Sequence, residues 1–151
     1  MNRRSTISLL SLLGLGHQVS AQGPTPASTI TPLRLTEAEW QKRLTPAQFQ
    51  VLRQEGTERA GTSPLNMEKR KGIYHCVGCD LALFDSTTKY DSGTGWPSFF
   101  DHLPGTLKTK TDFKMVYPRK EYHCARCGGH HGHVFDDGPK PTGKRYCNNG
   151  V

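Results

Sequence analysis

Five cysteines set the strongest constraint on what this chain of 151 residues can fold into. Four of them form two Cys-x-x-Cys pairs, Cys76 with Cys79 and Cys124 with Cys127, and the fifth, Cys147, stands alone. Each pair places two sulfurs on one tight turn, so two such turns brought together offer a tetrahedral site with four sulfur ligands. A site of this kind has no open position for water or substrate. We therefore predict one structural Zn²⁺ and one separate, reactive thiol.

Two other uses of the paired cysteines stay open at this point. In an exported protein the four could form two disulfides, and a Cys-x-x-Cys pair can also be redox-active. The gap between the pairs, residues 80–123, is longer than the common spacing of a zinc ribbon. Zinc is favoured because the same pair occurs twice while the fifth cysteine lies elsewhere.

The composition is typical of a turn-rich domain with a thin core. Hydrophobic residues make up 34% of the chain, which contains 16 Gly and 10 Pro, and the length suits a single domain. A metal ion would help to stabilise so small a core. The net charge of +7 is spread along the chain without a long Lys/Arg block, so it gives little support to nucleic-acid binding.

The first residues have the features of a targeting segment. A basic start is followed by an apolar run at residues 7–15 and a small-residue cleavage site that ends at Ala21. Residues 1–21 are predicted to be a signal peptide and residues 22–34 a flexible linker. The apolar run is too short for a permanent membrane span. We expect export to the periplasm or the medium, with organelle targeting as the alternative.

The remaining residues, 35–151, are predicted to form one mostly antiparallel β domain with an N-terminal helical cover. Capping boxes at Thr36 and Thr45 begin two short helices, and Gly56 is expected to end the second. Trp40 is expected in the core. Strand patterns follow at residues 72–76, 82–84, 99–100, 107–123 with a break at Pro118, 133–135 and 145–147.

A polar, histidine-rich run at residues 129–137 precedes the lone thiol. Arg145 lies two positions before Cys147, so on a strand both side chains share a face and the positive charge favours the thiolate. His130 and His133 are three residues apart, and either can donate a proton near neutral pH. This combination indicates nucleophilic thiol chemistry.

Three blocks of the chain resemble the signature of the B-type methionine sulfoxide reductases. They are residues 91–99 (DSGTGWPSF), 130–139 (HHGHVFDDGP) and 142–149 (TGKRYCNN). The resemblance begins near Thr45, ends at Asn149 and includes both cysteine pairs. It implies a mainly β fold of two antiparallel sheets with zinc opposite the active site. It also implies reduction of the R epimer of methionine sulfoxide, mainly in peptides and proteins, as a repair of oxidised proteins.

The resemblance also implies a role for each residue of the site. Cys147 would attack the sulfoxide sulfur and become a sulfenic acid, which an external thiol or a thioredoxin-like protein would reduce. His133 and His130 would supply a proton. Trp96 and Phe135 would form the wall that receives the substrate methyl group. Asp137 would orient a histidine or Arg145. Asn149 would form a hydrogen bond with the substrate or the thiolate. We expect a monomer.

This chain departs from the family pattern at four places. Thr94 stands where many members have a resolving cysteine, which indicates a one-cysteine variant recycled directly by an external reductant. His131 occupies a position that is usually leucine, and we expect its side chain to be exposed. Gly61 replaces a common aromatic residue, and the chain stops at Val151 where the family usually continues with a short tail.

Two functions of other classes compete with the enzyme. A zinc-ribbon module that binds nucleic acid would explain four cysteines and the positive charge, but not Cys147 or the histidine run. A secreted interaction protein held by disulfides would leave one cysteine unpaired. The enzyme hypothesis accounts for all of these features, and we expect no nucleic-acid partner.

Overall fold

The computed structural model describes residues 29–151, so the predicted signal peptide at residues 1–21 lies outside the described residues. The described part contains two α-helices and eight β-strands, with 3-10 turns at Pro64–Asn66 and Ser86–Thr88. The helices are α1 (Glu37–Arg43) and α2 (Pro46–Gln54), and the strands are β1 (Ile73–His75), β2 (Ala82–Asp85), β3 (Lys89–Tyr90), β4 (Ser98–Phe99), β5 (Leu107–Asp112), β6 (Arg119–Cys124), β7 (His130–Phe135) and β8 (Arg145–Asn148). None of the helices between residues 29 and 151 has the length and apolar character needed to cross a membrane.

Both helices begin at the predicted capping boxes. The hydroxyls of Thr36 and Thr45 each accept a hydrogen bond from the backbone three residues on, and the side chain at that position bonds back to the cap. The end of α2 differs from the prediction. Glu55, rather than Gly56, adopts the left-handed conformation, with φ of 54°. Ion pairs from Glu55 to Lys110 and Lys114 hold it there.

The strands form two antiparallel sheets, as predicted. β1 and β2 make a two-stranded sheet, and the other strands make a six-stranded sheet in the order β3-β4-β8-β7-β6-β5. The predicted strand at residues 107–123 is the β5–β6 hairpin, which pairs Leu107 with Cys124 and Asp112 with Arg119. The two-residue strand β3 was not predicted. β8 lies between β4 and β7, so the lone thiol occupies a central strand.

The linker predicted at residues 22–34 reaches into the described residues, where its last part packs against the domain. The backbone N–H of Leu33 donates to the carbonyl oxygen of Arg126 at 2.8 Å. Leu33 and Leu35 also pack against the buried core. This end of the segment is therefore part of the folded domain and lies beside the second cysteine turn.

Aromatic side chains join the two sheets. Phe84 on β2 stacks on Phe99 of β4 with ring centroids 4.3 Å apart, and the edges of Tyr74 and Tyr122 meet this pair. Both phenylalanines are buried, as is Trp40 of α1, whose core position the sequence predicted. The four paired cysteines belong to the same core cluster. The core is thus small, aromatic and continuous with the sulfur cluster.

We expect Phe84→Ala to lower the free energy of unfolding by about 3–5 kcal/mol, because it removes a buried ring and leaves a cavity between the sheets. Urea unfolding of the zinc-loaded protein measures the change. Phe113→Ala is the matched control, since Phe113 is 77% exposed and its loss should change stability by less than about 0.5 kcal/mol. Equal losses for the two variants would contradict the assigned core.

Candidate active site and zinc site

The four paired cysteines meet where the small sheet and the large sheet come together. Cys76 and Cys79 lie on the turn that follows β1, and Cys124 and Cys127 on the turn between β6 and β7. Their sulfurs all lie within 4.8 Å of one another. The separations are 3.6 Å from Cys76 Sγ to Cys127 Sγ and 3.5 Å from Cys79 Sγ to Cys124 Sγ.

These separations fit a metal ion and not a disulfide. Zn–S bonds of about 2.3 Å in a tetrahedron place the sulfurs about 3.8 Å apart, whereas disulfide sulfurs lie about 2.05 Å apart. All five cysteines are free, and the four in the cluster are buried. Arginines tie the turns in place, with Arg126 donating to the carbonyl of Cys79 and Arg53 to that of Cys127. The residues are therefore suited to hold one Zn²⁺.

A second site lies at the centre of the six-stranded sheet, where β7 and β8 form one wall of a cavity of about 290 Å³. It gathers six of the residues selected from the sequence: Cys147, Arg145, His133, Asn149, Trp96 and Phe135. Its other lining residues are Thr57, Thr94, Arg119 and Gly132. Two predicted residues, His130 and Asp137, do not line it. The cavity combines a thiol, cationic and hydrogen-bonding groups, and an aromatic wall.

The sheet places the thiol beside the histidine. Cys147 pairs directly with His133 across β7 and β8. The strands approach closely at Gly132, where a Cβ atom would lie 1.9 Å from the carbonyl oxygen of Cys147. Glycine is therefore required at this position for the two strands to pack.

The environment of Cys147 opposes its ionisation in the resting protein. Burial raises the pKa of the thiol above its usual value, although the charge of Arg145 and hydrogen bonds with Thr94 and Arg145 act to lower this pKa. The effect of burial is the larger. Arg145 therefore favours the thiolate, as the sequence predicted, but does not make it the resting form at neutral pH.

Arg145 is shared between the thiol and a carboxylate. Its Nε and Nη2 atoms donate to the two oxygens of Asp137 at 2.8 and 2.9 Å, and its guanidinium lies 4.3 Å from the centre of the Phe135 ring. The sequence left a histidine and Arg145 as possible partners of Asp137, and in the structure Asp137 binds Arg145. The carboxylate fixes the guanidinium while offsetting part of its charge.

His133 is held by a carboxylate that sequence reasoning missed. Its Nε2 lies 2.9 Å from Oδ2 of Asp112, which also accepts from Arg119 Nη2 at 2.7 Å. The pKa of Asp112 is lowered, first by the backbone amide of Lys114 and then by His133 and Arg119. Asp112 is therefore ionised at neutral pH and can stabilise a protonated His133.

His130 lies behind His133, and their ring centroids are 5.6 Å apart. It is 1% exposed, and Nδ1 lies 3.3 Å from Oε2 of Glu121 without hydrogen-bond geometry. Burial lowers the pKa of His130 to about 4, so the ring is neutral at neutral pH. The structure thus brings His133, and not His130, to the cavity.

His131 was predicted to be exposed, and that prediction is wrong. The side chain is 4% exposed, and its Nε2 lies 3.3 Å from Sγ of Cys76. Neighbouring residues on a strand point to opposite faces, so His131 points away from His130 and enters the core beside the sulfur cluster.

Asn149 is fixed in the cavity wall by its amide. Its Nδ2 donates to the carbonyl of His131 at 2.8 Å, and its Oδ1 accepts from the backbone N–H of Glu58 at 2.9 Å. The carbonyl of Glu58 in turn accepts from Trp96 Nε1 at 3.1 Å. The segment around Glu58 therefore positions both the amide and the indole.

The SelR domain family matches residues 44–151, which contain both sites. The chain belongs to this family. It is 57% identical over 116 residues to "Peptide methionine sulfoxide reductase B1, chloroplastic" of Arabidopsis thaliana, covering 76% of this chain. It is 53% identical over 117 residues to "Peptide methionine sulfoxide reductase MsrB" of Methanosarcina barkeri and to the protein of the same name in Pseudomonas putida.

The length covered differs among these relatives of the SelR domain protein. The chain spans 57% of the Arabidopsis thaliana protein, and 54% of a rice protein of the same name to which it is 56% identical. It spans 82% of the Methanosarcina barkeri protein and 88% of the Pseudomonas putida protein. The shared part covers most of the bacterial and archaeal proteins but only about half of the two plant proteins.

Four site residues of this SelR domain were missed from the sequence. Asp112 and Arg119 carry opposite charges on the two sides of the turn in the β5–β6 hairpin, where they pair. The sequence predicted this hairpin as a strand broken at Pro118. A predicted register for the two strands would have paired these residues. Thr57 and Glu58 precede the first strand in an irregular segment. No sequence pattern there indicates a site.

We expect the rate of Cys147 alkylation by iodoacetamide to rise with pH, through a midpoint above that of free cysteine, because burial raises the thiol pKa. Arg145→Gln should raise the midpoint by up to about one pKa unit. Because the thiolate fraction falls by the same factor, alkylation near pH 7.5 should slow about three- to tenfold. Arg145→Lys keeps the positive charge, so its alkylation rate should fall less than that of Arg145→Gln. The urea-unfolded forms of all three proteins should react alike. Equal rates in the folded state would contradict an electrostatic role for Arg145.

Proposed function

We propose that this chain reduces methionine-R-sulfoxide to methionine through Cys147, mainly in peptides and proteins, and so repairs oxidised proteins. The observation that carries the proposal is the convergence of a thiol, a histidine–carboxylate pair and a tryptophan on one cavity. Membership of the SelR domain family, and relatives at 50–57% identity that are named peptide methionine sulfoxide reductases, support the same reaction. The nucleic-acid alternative leaves this cavity unexplained and is not favoured.

The substrate sulfur is positioned by the aromatic wall. Its methyl group packs against Trp96 and Phe135, since thioether carbons and sulfur contact aromatic rings favourably. The indole cannot turn away because Glu58 accepts its N–H. Asn149 presents its buried amide to the same space.

The chemistry transfers one oxygen atom and needs no net proton. The sulfur of Cys147 attacks the sulfoxide sulfur as its proton is drawn off, and His133, supported by ionised Asp112, protonates the sulfoxide oxygen. The attack forms an S–S bond, and the protonated oxygen then moves to the Cys147 sulfur. The old S–O bond and the S–S bond break, one electron pair forms the new S–O bond of the sulfenic acid, and the other stays on the methionine sulfur as a lone pair. Arg145 stabilises the negative charge on the attacking sulfur. His130 assists by packing against the ring of His133.

Recycling falls to an external reductant. Thr94 lines the cavity beside Cys147 where a resolving cysteine stands in many relatives, and the other four sulfurs form the separate buried cluster. A small thiol or a thioredoxin-like protein would attack the sulfenic acid, release water and form a mixed disulfide. A second thiolate then frees Cys147.

The surface around the cavity suits a polypeptide substrate. The loop at residues 113–118 begins after Asp112 and ends before Arg119, the pair that holds His133. It exposes Phe113 at 77% and Val116 fully, at 105%. An apolar loop at the edge of the cavity can contact the residues that flank an oxidised methionine, which is a contact the free amino acid lacks.

The four-cysteine cluster would hold one structural Zn²⁺, which joins the turns and takes no part in the redox chemistry. Residues 1–21 would direct the chain out of the cytoplasm, with an organelle as the alternative destination. The domain itself would work as a monomer.

With dithiothreitol as reductant, we expect the protein to reduce a peptide that contains methionine-R-sulfoxide and to leave the peptide with the S epimer unchanged. Chromatography of the product measures the turnover. Cys147→Ser should abolish turnover, and His133→Gln should lower kcat by about 10²-fold or more, because a proton donor is lost. His102→Gln is the matched control and should leave kcat unchanged. A folded, zinc-loaded protein that reduces neither epimer would falsify the proposed function.

Without reductant, we expect one methionine to be formed per protein and one oxygen atom to be retained on Cys147, measured by mass spectrometry after trapping with dimedone. Thr94→Cys should convert this product into an intramolecular disulfide, because it places a second thiol in the same cavity. A disulfide between Cys147 and a cysteine of the cluster in the native protein would contradict both the recycling scheme and the zinc assignment.

A further inference from the structure

We propose that His131 belongs to the zinc site, where its Nε2–H donates a hydrogen bond to the Cys76 thiolate and slows oxidative loss of the metal. The two atoms lie 3.3 Å apart, and both residues are buried. Asn149 fixes the backbone of His131, whose carbonyl accepts from the backbone N–H and from the side-chain amide of Asn149 at 2.8 Å each. The inference concerns the metal site and does not depend on the proposed function.

The donor is a feature of this chain's side chains rather than of its backbone. Cys127 Sγ accepts from the backbone N–H of Gly129 at 3.4 Å, a bond that any residue other than proline could make. The bond to Cys76 comes from an imidazole, so a leucine at position 131 would leave the thiolate without this donor.

A zinc-bound thiolate carries no proton and can only accept, so the bond requires the tautomer of His131 that carries its proton on Nε2. The four sulfurs already provide a complete tetrahedral set within 4.8 Å, so the imidazole acts on a ligand and is not a fifth ligand.

A hydrogen bond of this kind protects a zinc thiolate. Four thiolates around Zn²⁺ carry a net charge of −2, and each N–H donor withdraws charge from the sulfur that it contacts. In oxidation the sulfur attacks one oxygen of hydrogen peroxide, an S–O bond forms, the O–O bond breaks and hydroxide leaves. The sulfur is oxidised to a sulfenic acid and no longer holds the ion. A less electron-rich sulfur reacts more slowly.

The test follows zinc release from the holoprotein in hydrogen peroxide with a chromogenic chelator. All variants carry Cys147→Ser, so that the active thiol does not consume the oxidant. We expect His131→Leu to release zinc about three- to tenfold faster, the factor for one lost hydrogen bond, and His131→Gln, which keeps an N–H donor, to fall between. His102→Leu removes an imidazole elsewhere and should match the parent. Equal release rates for His131→Leu and the parent would overturn the proposal.

Cobalt substitution separates a hydrogen bond from packing. Loss of the donor in His131→Leu should move the sulfur-to-cobalt charge-transfer band to longer wavelength, while the visible bands keep the pattern of four sulfur ligands. An unchanged charge-transfer band would show that the imidazole only fills space. Parent bands typical of three sulfurs and one nitrogen would instead make His131 a ligand. Either result overturns the proposal, and His131→Gln supplies the comparison if the leucine variant binds less metal.

Discussion

The meeting of two cysteine turns is the interaction on which the rest of this structure depends. One turn closes the small sheet and the other closes the β6–β7 connection of the large sheet. The helical cover joins at the same place, through Arg53 on α2 and through Leu33 before α1. With only 34% hydrophobic residues, the chain has few other means of holding these parts together. A metal ion held by the four sulfurs would replace apolar surface that the chain lacks.

β7 connects this junction to the cavity. The register of β7 shifts opposite Tyr122 and His123, which interrupts the alternation of its side chains, so His131 reaches the sulfur cluster while His133 lies beside Cys147. The strand cannot shift relative to β8 without a collision, because the backbone at Gly132 lies against the carbonyl of Cys147. The two sites are distinct in chemistry but share a mechanical support.

Local signals in the sequence predicted the elements well and their contacts less well. The capping boxes predicted both helix starts, and short β segments separated by turn residues predicted most strands, because each signal depends on residues close in the chain. The partner of His133 was missed, since Asp112 approaches it only after β5, β6 and β7 have paired. The burial of His131 was missed for a related reason. A histidine in a polar run appears exposed until the strand direction shows which face it occupies.

The position of Thr94 has a consequence for the lifetime of the protein. A hydroxyl cannot cap an oxidised sulfur, and within the described residues the remaining thiols are committed to the metal cluster. A sulfenic acid left waiting can take a second oxygen and become a sulfinic acid, which ordinary thiols do not reverse. In the proposed reaction the supply of reductant would therefore set more than the rate of turnover. It would set how many cycles each molecule completes before its nucleophile is permanently lost.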